Sequence, residues 1–181
     1  AKSHKAMIEL AQHATVPVIN GLDDEEHPCQ VITDLMTIKE HKKTLKKLKF
    51  VYIGDGNNNM AHSYLLGCGI AGMDIKIVAP KQYWPDEKYV KKAKKFGITI
   101  DVTDNITGCV KGADIVATDT WISMGDELEK EKRIKEFKGY TIDQNIMEQA
   151  KPDAIFMHCL PAYYGYEVTK EVAHGKQSVI F

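Results

Sequence analysis

Residues 48–79 read LKFVYIGDGNNNMAHSYLLGCGIAGMDIKIVA. The first six, LKFVYI (48–53), are almost all apolar or aromatic, a run of strand length in the residue types that suit a pleated surface. A turn cluster of Gly, Asp and Asn follows, then an apolar stretch over 58–71 long enough for a helix, closed by Gly72. DIKIVA (74–79) is a second strand. Strand, helix and strand in that order cannot make a hairpin; they require a right-handed crossover and a parallel pair.

Toward the C-terminus the alternation continues. Helix 85–96 precedes strand 98–102 (ITIDV), a short helix near 105–111 precedes strand 113–118 (ADIVAT), and helices 126–137 and 143–150 precede strand 154–157 (AIFM). The expected fold class is therefore α/β: a doubly wound, Rossmann-like parallel sheet with helices on both faces and ligand sites at the carboxyl ends of its strands. Toward the N-terminus, Met7, Leu10, Ala11 and Ala14 give helix 4–14, Val16-Pro17-Val18-Ile19 a short strand, and Pro28 opens a helix to Lys42. Val31, Ile32, Leu35, Met36 and Ile38 are its expected buried stripe. One helix and one strand cannot bury a core alone. Residues 1–42 are thus expected to be a partial segment of a second α/β domain with its linking helix, and residues 43–181 the wound domain.

With 181 residues, 44% hydrophobic and 27% charged, the composition is that of an ordinary globular chain. The 24 basic and 25 acidic residues leave a net charge of -1, which excludes the basic field that nucleic acid or an anionic membrane requires. The lysine runs at 42–49 and 91–95 are expected to be solvated faces. Cys29, Cys68, Cys109 and Cys159 are widely spaced with no C-x-x-C, as expected of unpaired thiols in a reducing, cytoplasmic setting. No apolar run approaches the ~20 residues that span a bilayer.

A parallel sheet brings three polar strand ends to one edge. After the first strand comes Gly54-Asp55-Gly56-Asn57-Asn58-Asn59, which superficially resembles a dinucleotide loop. Asn59 stands where the third glycine should be, and the next strand ends on Ala79 and Pro80 instead of a ribose-binding acid, so no nicotinamide or flavin cofactor is expected. The asparagines also suit a helix cap. After the fourth strand comes Asp119-Thr120-Trp121-Ile122-Ser123-Met124-Gly125, a carboxylate and a loop that could meet a ligand ammonium and carboxylate, or whose Ser123, like Asp126, could cap the next helix. After the last strand come His158, Cys159, Leu160 and Pro161, where the thiol is either a small buried hydrophobe or part of a site.

HPCQ (27–30), GDGNNNMAHS (54–63), DTWISMG (119–125) and HCLPA (158–162) resemble, in order and spacing, the ornithine branch of the aspartate/ornithine carbamoyltransferase family. The resemblance spans essentially the whole chain, and the last two motifs together are highly specific. It implies carbamoyl transfer from carbamoyl phosphate to the side-chain amine of L-ornithine, giving L-citrulline and phosphate with no cofactor and no metal. It also implies a cytoplasmic homotrimer, or higher assembly, in the complete enzyme. Carbamoyl phosphate would meet His27, Pro28, Cys29, Gln30, Cys159 and Leu160. Ornithine would meet Asn58 or Asn59, Asp119, Ser123 and Met124. His27 and Gln30 would act on the carbamoyl group, Asp119 would pair with the α-ammonium, and Cys159 and Asp119 are the candidates for tuning proton loss from the incoming amine.

Two family segments do not occur: an early Ser-Thr-Arg-Thr that grips phosphate and a late Glu-Asn-Arg. Tyr164 stands where many bacterial relatives have arginine. The expectation is a piece of a longer enzyme, inactive by itself. The competing readings are a sister carbamoyltransferase for putrescine or acetylornithine, against which DTWISMG argues, and a non-catalytic amino-acid-binding module.

Overall fold

The computed structural model describes residues 3–123 and 127–181. Five strands, β1 (Lys49–Ile53), β2 (Asp74–Val78), β3 (Ile100–Thr103), β4 (Ile115–Thr118) and β5 (Ile155–His158), form one sheet in the order β3-β2-β1-β4-β5. Every pairing is parallel. Chain order reverses between β1 and β4, so their carboxyl ends open a crevice there. Seven helices accompany the sheet among the described residues: α1 (His4–His13), α2 (Pro28–Lys42), α3 (Asn59–Ala71), α4 (Glu87–Lys94), α5 (Lys130–Glu136), α6 (Gln144–Met147) and α7 (Lys170–Ala173).

The period-two alternation of β1 explains the two cores. Phe50 and Tyr52 join Tyr64, Leu65, Ile77 and Met157 on one face, while Val51 and Ile53 join Val116, Phe156, Ile142 and Val172 on the other. Both faces are covered, which is why β4 and β5 are buried at every position. Among the described residues no helix is long and apolar enough to cross a membrane.

The two glycines of GDG are explained by crowding at the crevice. Gly54 adopts φ +149, and a Cβ there would lie 3.3 Å from Thr118 Oγ1; one on Gly56 would lie 2.7 Å from the Tyr83 carbonyl oxygen. Thr118 Oγ1 donates to the Ile53 carbonyl at 2.6 Å, tying the ends of β1 and β4 together. Both glycines are thus needed for close chain packing.

Several expectations are corrected. Residues 16–19 form no strand; they lie on the surface with Val16 69% and Ile19 78% exposed, having no neighbouring strand to pair with. Residues 107–112 are turns and 105–106 irregular, in place of the helix expected near 105–111. On α2, Ile32 and Met36 are exposed and the buried positions are Val31, Asp34 and Ile38, a narrower stripe than the helical period suggests, on a helix that packs against α3. The helix expected over 126–137 is a 3-10 turn, Glu127–Glu129, followed by α5, whose N-cap residue is Glu129; Asp126 lies outside the described residues. Lys42 is not solvated: its side chain is buried and its Nζ donates to Asp153 Oδ2 at 2.9 Å.

Candidate active site

The three strand ends converge on Asp119. It leaves β4 buried, and its carboxylate accepts three hydrogen bonds: from the Thr120 N–H at 2.7 Å, from Asn58 Nδ2 at 3.0 Å and from Cys159 Sγ at 3.1 Å. Asn58 also caps α3, accepting from the Ala61 N–H at 2.8 Å, and its amide touches the Tyr52 hydroxyl at 3.3 Å. Burial pushes the Asp119 carboxyl above the usual aspartate range, with the Cys159 hydrogen bond the leading opposing influence. Burial, together with the charge of Asp119, pushes the Cys159 thiol far above its ordinary value. The thiol therefore stays protonated at neutral pH and donates.

His158 answers why an imidazole stands beside that thiol. It is turned away from the crevice: Nδ1 accepts from the Leu160 N–H at 2.8 Å and Nε2 meets Glu167 Oε1 at 3.1 Å. An acceptor at Nδ1 places the proton on Nε2, so the ring is a fixed anchor for the Cys159-Leu160 turn. Leu160 takes φ +60 and precedes a cis proline. Glu167 also accepts from the Tyr163 N–H, completing the anchor.

The fourth contribution comes from α2. His27 occupies its N-cap position, Pro28 its first turn, and the His27 N–H donates to Ser63 Oγ at 2.7 Å. His27 Nδ1 is buried with no hydrogen-bond partner among the described residues. The loop before it is clasped by the wound domain. Asn59 Nδ2 donates to the Asp23 carbonyl at 2.8 Å, the Tyr89 hydroxyl meets Glu25 and Glu26, and His62 stacks on Tyr89 at 4.1 Å while its Nδ1 contacts the Glu25 carbonyl. Burial lowers the His62 pKa.

Between these groups lies a cleft of about 630 Å³ lined by His27, Asn58, Asn59, Asp119, Ser123, Cys159 and Leu160, among others. Three expected residues, Pro28, Cys29 and Gln30, do not line it. Pro28, the first residue of α2, follows the lining residue His27 in the chain. Cys29 turns its thiol to the Asn20 carbonyl at 3.3 Å, and Gln30 donates through Nε2 to Asp34 at 3.1 Å. Met124 lies outside the described residues. Arg133, unforeseen in the sequence, enters the cleft paired with Asp55 at 2.7 Å and donates to the Trp121 carbonyl at 3.1 Å. Nothing in the spacing of 130–136 marks it; only its burial does.

One acid, one imidazole and one thiol, those of Asp119, His158 and Cys159, lie within 4.8 Å of one another. They are a poor fit to a metal ion. His158 spends both nitrogens on Leu160 and Glu167, and the Cys159 proton is shared with Asp119, so each would have to give up an internal partner to bind one.

The profile of the aspartate/ornithine carbamoyltransferase Asp/Orn binding domain matches residues 46–181, and that of the carbamoyl-P binding domain of the same family matches residues 1–40. The chain belongs to the aspartate/ornithine carbamoyltransferase family. It is 48% identical over 179 residues to the ornithine carbamoyltransferase of Methanosarcina acetivorans, covering 99% of this chain and 59% of that protein. With the ornithine carbamoyltransferase of Caldicellulosiruptor saccharolyticus it shares 52% identity over 177 residues, 96% of this chain and 57% of the relative. The ornithine carbamoyltransferase structure from Pyrococcus furiosus superposes with a TM-score of 0.93 at 45% identity, covering 99% of this chain and 58% of that one. The chain thus spans about three fifths of the length of the relatives it matches.

Proposed function

We propose that the chain forms the amino-acid half, and the His27 edge of the donor half, of an ornithine carbamoyltransferase that moves a carbamoyl group from carbamoyl phosphate to L-ornithine. The observation that carries the reading is the convergence of Asp119, Asn58 and Cys159 in the cleft that His27 borders from the start of α2.

Asp119 takes the α-ammonium, exchanging its internal donors for a full positive charge. Asn58, fixed beside Asp119, is the asparagine assigned to ornithine, since the Asn59 amide is spent on Asp23. Ser123 and Met124 take the α-carboxylate. The attacking amine has an unperturbed pKa of about 10.4 and must shed a proton before it attacks. Cys159, neutral and hydrogen-bonded to Asp119, stands beside that amine as a recognition and proton-controlling group. A thiol held protonated is no covalent nucleophile. As the amine adds, charge grows on the carbamoyl oxygen and is met by His27 and the N–H groups opening α2, while the Leu160 carbonyl and Gln30 hold the carbamoyl NH2. Cytoplasmic location and a homotrimer belong to the same proposal.

The departing phosphate carries two charges, and among the described residues the one Lys or Arg side chain lining the cleft is Arg133, already paired with Asp55. The 181-residue chain alone is therefore expected to lack turnover. The test is citrulline formation by the full-length enzyme, comparing L-ornithine, putrescine and N-acetylornithine. Preference for either alternative amine would make this a sister enzyme, and no transfer at all would leave an amino-acid-binding module.

A further inference from the structure

Asp34 is a charged residue on the buried stripe of α2, between Val31 and Ile38, and is 6% exposed. Tyr64, buried in the α3 face of the core, donates its hydroxyl to Asp34 Oδ2 at 2.6 Å, and Gln30 donates Nε2 to Asp34 Oδ1 at 3.1 Å. Burial raises the carboxyl's pKa while these two donors oppose the rise. Positions 27, 30 and 34 lie on one stripe of the helix, with His27 at the cleft end and Asp34 at the inner end.

We propose that Asp34 is a positioning residue that sets the orientation of the Gln30 amide, holding Nε2 inward so that Oε1 faces the His27 end as an acceptor for the donor's carbamoyl NH2. The inference rests on the reading of the chain as a carbamoyltransferase. Donor and acceptor supply dictates the orientation. A carboxylate that already accepts from Tyr64 can only accept from Gln30, and a planar amide with its NH2 turned one way presents its oxygen the other. Distance alone would not fix this, because the two ends of an amide have nearly the same shape.

Asp34→Asn inverts the supply without changing the volume. The Tyr64 proton is expected to go to the new amide oxygen, since the alternative, in which the phenol oxygen accepts from the new NH2, leaves a buried hydroxyl proton with no acceptor. The new NH2 then faces Gln30, which must turn its oxygen inward and offer the donor's NH2 another NH2. Adding Tyr64→Phe removes the hydroxyl that dictates this arrangement, so the introduced asparagine can turn its oxygen back to Gln30.

In the full-length enzyme, Asp34→Asn is expected to raise the KM for carbamoyl phosphate about tenfold or more while that for ornithine stays within about twofold, and Asp34→Asn combined with Tyr64→Phe to recover part of the loss. In the 181-residue chain, nuclear Overhauser contacts between the Gln30 side-chain NH2 and the Tyr64 ring should be present, vanish in the single variant and return in the double. An unchanged carbamoyl phosphate KM, equal loss for both substrates, or a double variant no better than the single would overturn the proposal. If the wild-type enzyme forms no citrulline, the functional reading fails, and the Gln30 contacts still decide the orientation separately.

Discussion

Asp119→Asn removes one charge and almost no volume from the centre of the site. In the unliganded protein the change is nearly balanced: the desolvation that raises the carboxyl's pKa is relieved, but an amide NH2 now faces one of the three donors from Thr120, Asn58 and Cys159. Fold stability is expected to shift by no more than about 1 kcal/mol. Ligand binding is not balanced. An ammonium about 4 Å from the carboxylate gains about 4 kcal/mol at an effective dielectric of 20, and asparagine keeps only the dipolar part. The loss is therefore about 3 kcal/mol, or roughly a hundredfold in affinity. Steady-state kinetics of the full-length enzyme should show that loss for ornithine with little change for carbamoyl phosphate. L-Norvaline, which has the amino-acid moiety and lacks the terminal amine, separates the two ammonium assignments. If Asp119 holds the α-ammonium, norvaline loses as much affinity as ornithine. Norvaline binding left intact, or equal weakening of ornithine and carbamoyl phosphate, would refute the assignment.

Cys159→Ser is expected to raise the ornithine KM about tenfold and alter the pH profile while turnover survives; a carbamoyl adduct on the Cys159 peptide, seen by mass spectrometry after mixing with carbamoyl phosphate alone, would show a covalent route instead. The contact of His4 Nδ1 with Asp23 at 2.7 Å sets a pH window for the docking of α1. Burial of Asp23 opposes ionisation, but the bonds from His4 and the Glu26 and Glu25 N–H groups outweigh it, so its pKa falls below the ordinary 3.8; the contribution is present above that value and lost as pH drops through the folded one. The hydrogen bond to Asp23 lifts His4 above 6.5, so its contribution is full below 6.5 and lost as pH rises through the folded value. Amide protection in α1 should peak between the two, and His4→Gln should erase the alkaline limb alone; an unaltered profile in that variant would contradict the clasp. Glu167→Ala strips the acceptor from His158 Nε2 and the Tyr163 N–H and should cost about 3 kcal/mol in urea unfolding, with a loss under about 1 kcal/mol showing the anchor to be dispensable.

The strand ends were legible because local signals there agree. Runs such as KFVYI and IFMH have one physical solution, a buried parallel strand, and the polar residues behind them must share an edge. That is how Asp119, Asn58 and Cys159 could be grouped across a hundred residues of chain. The helix stripe on α2 was misread for the opposite reason. Ile32 and Met36 fit the helical period, but period alone does not say how wide a neighbour the helix meets. The one signal that could have corrected it was Asp34, an acid between Val31 and Ile38 with Gln30 four residues before it. Glu167 and Arg133 left no comparable trace, since their partners, His158 and Asp55, are brought to them only by the fold. The strand expected at 16–19 failed because β-branched residues make a strand only where a partner edge exists.

Lys42 has a consequence far from its own position. From His27 at the cleft, α2 runs back about 22 Å to Lys42, which grips Asp153, and from there β5 carries the chain forward again to Cys159. Helix and strand are thus the two rails of a caliper riveted at the base, with the imidazole on one tip and the thiol on the other. The gap between the tips is built in when the chain folds, before any ligand arrives. Motion that opens or shuts the cleft while that bond holds has to come from elsewhere in the chain, and the 14–22 stretch, with Val16, Ile19 and Leu22 exposed, is one segment outside both helix and strand.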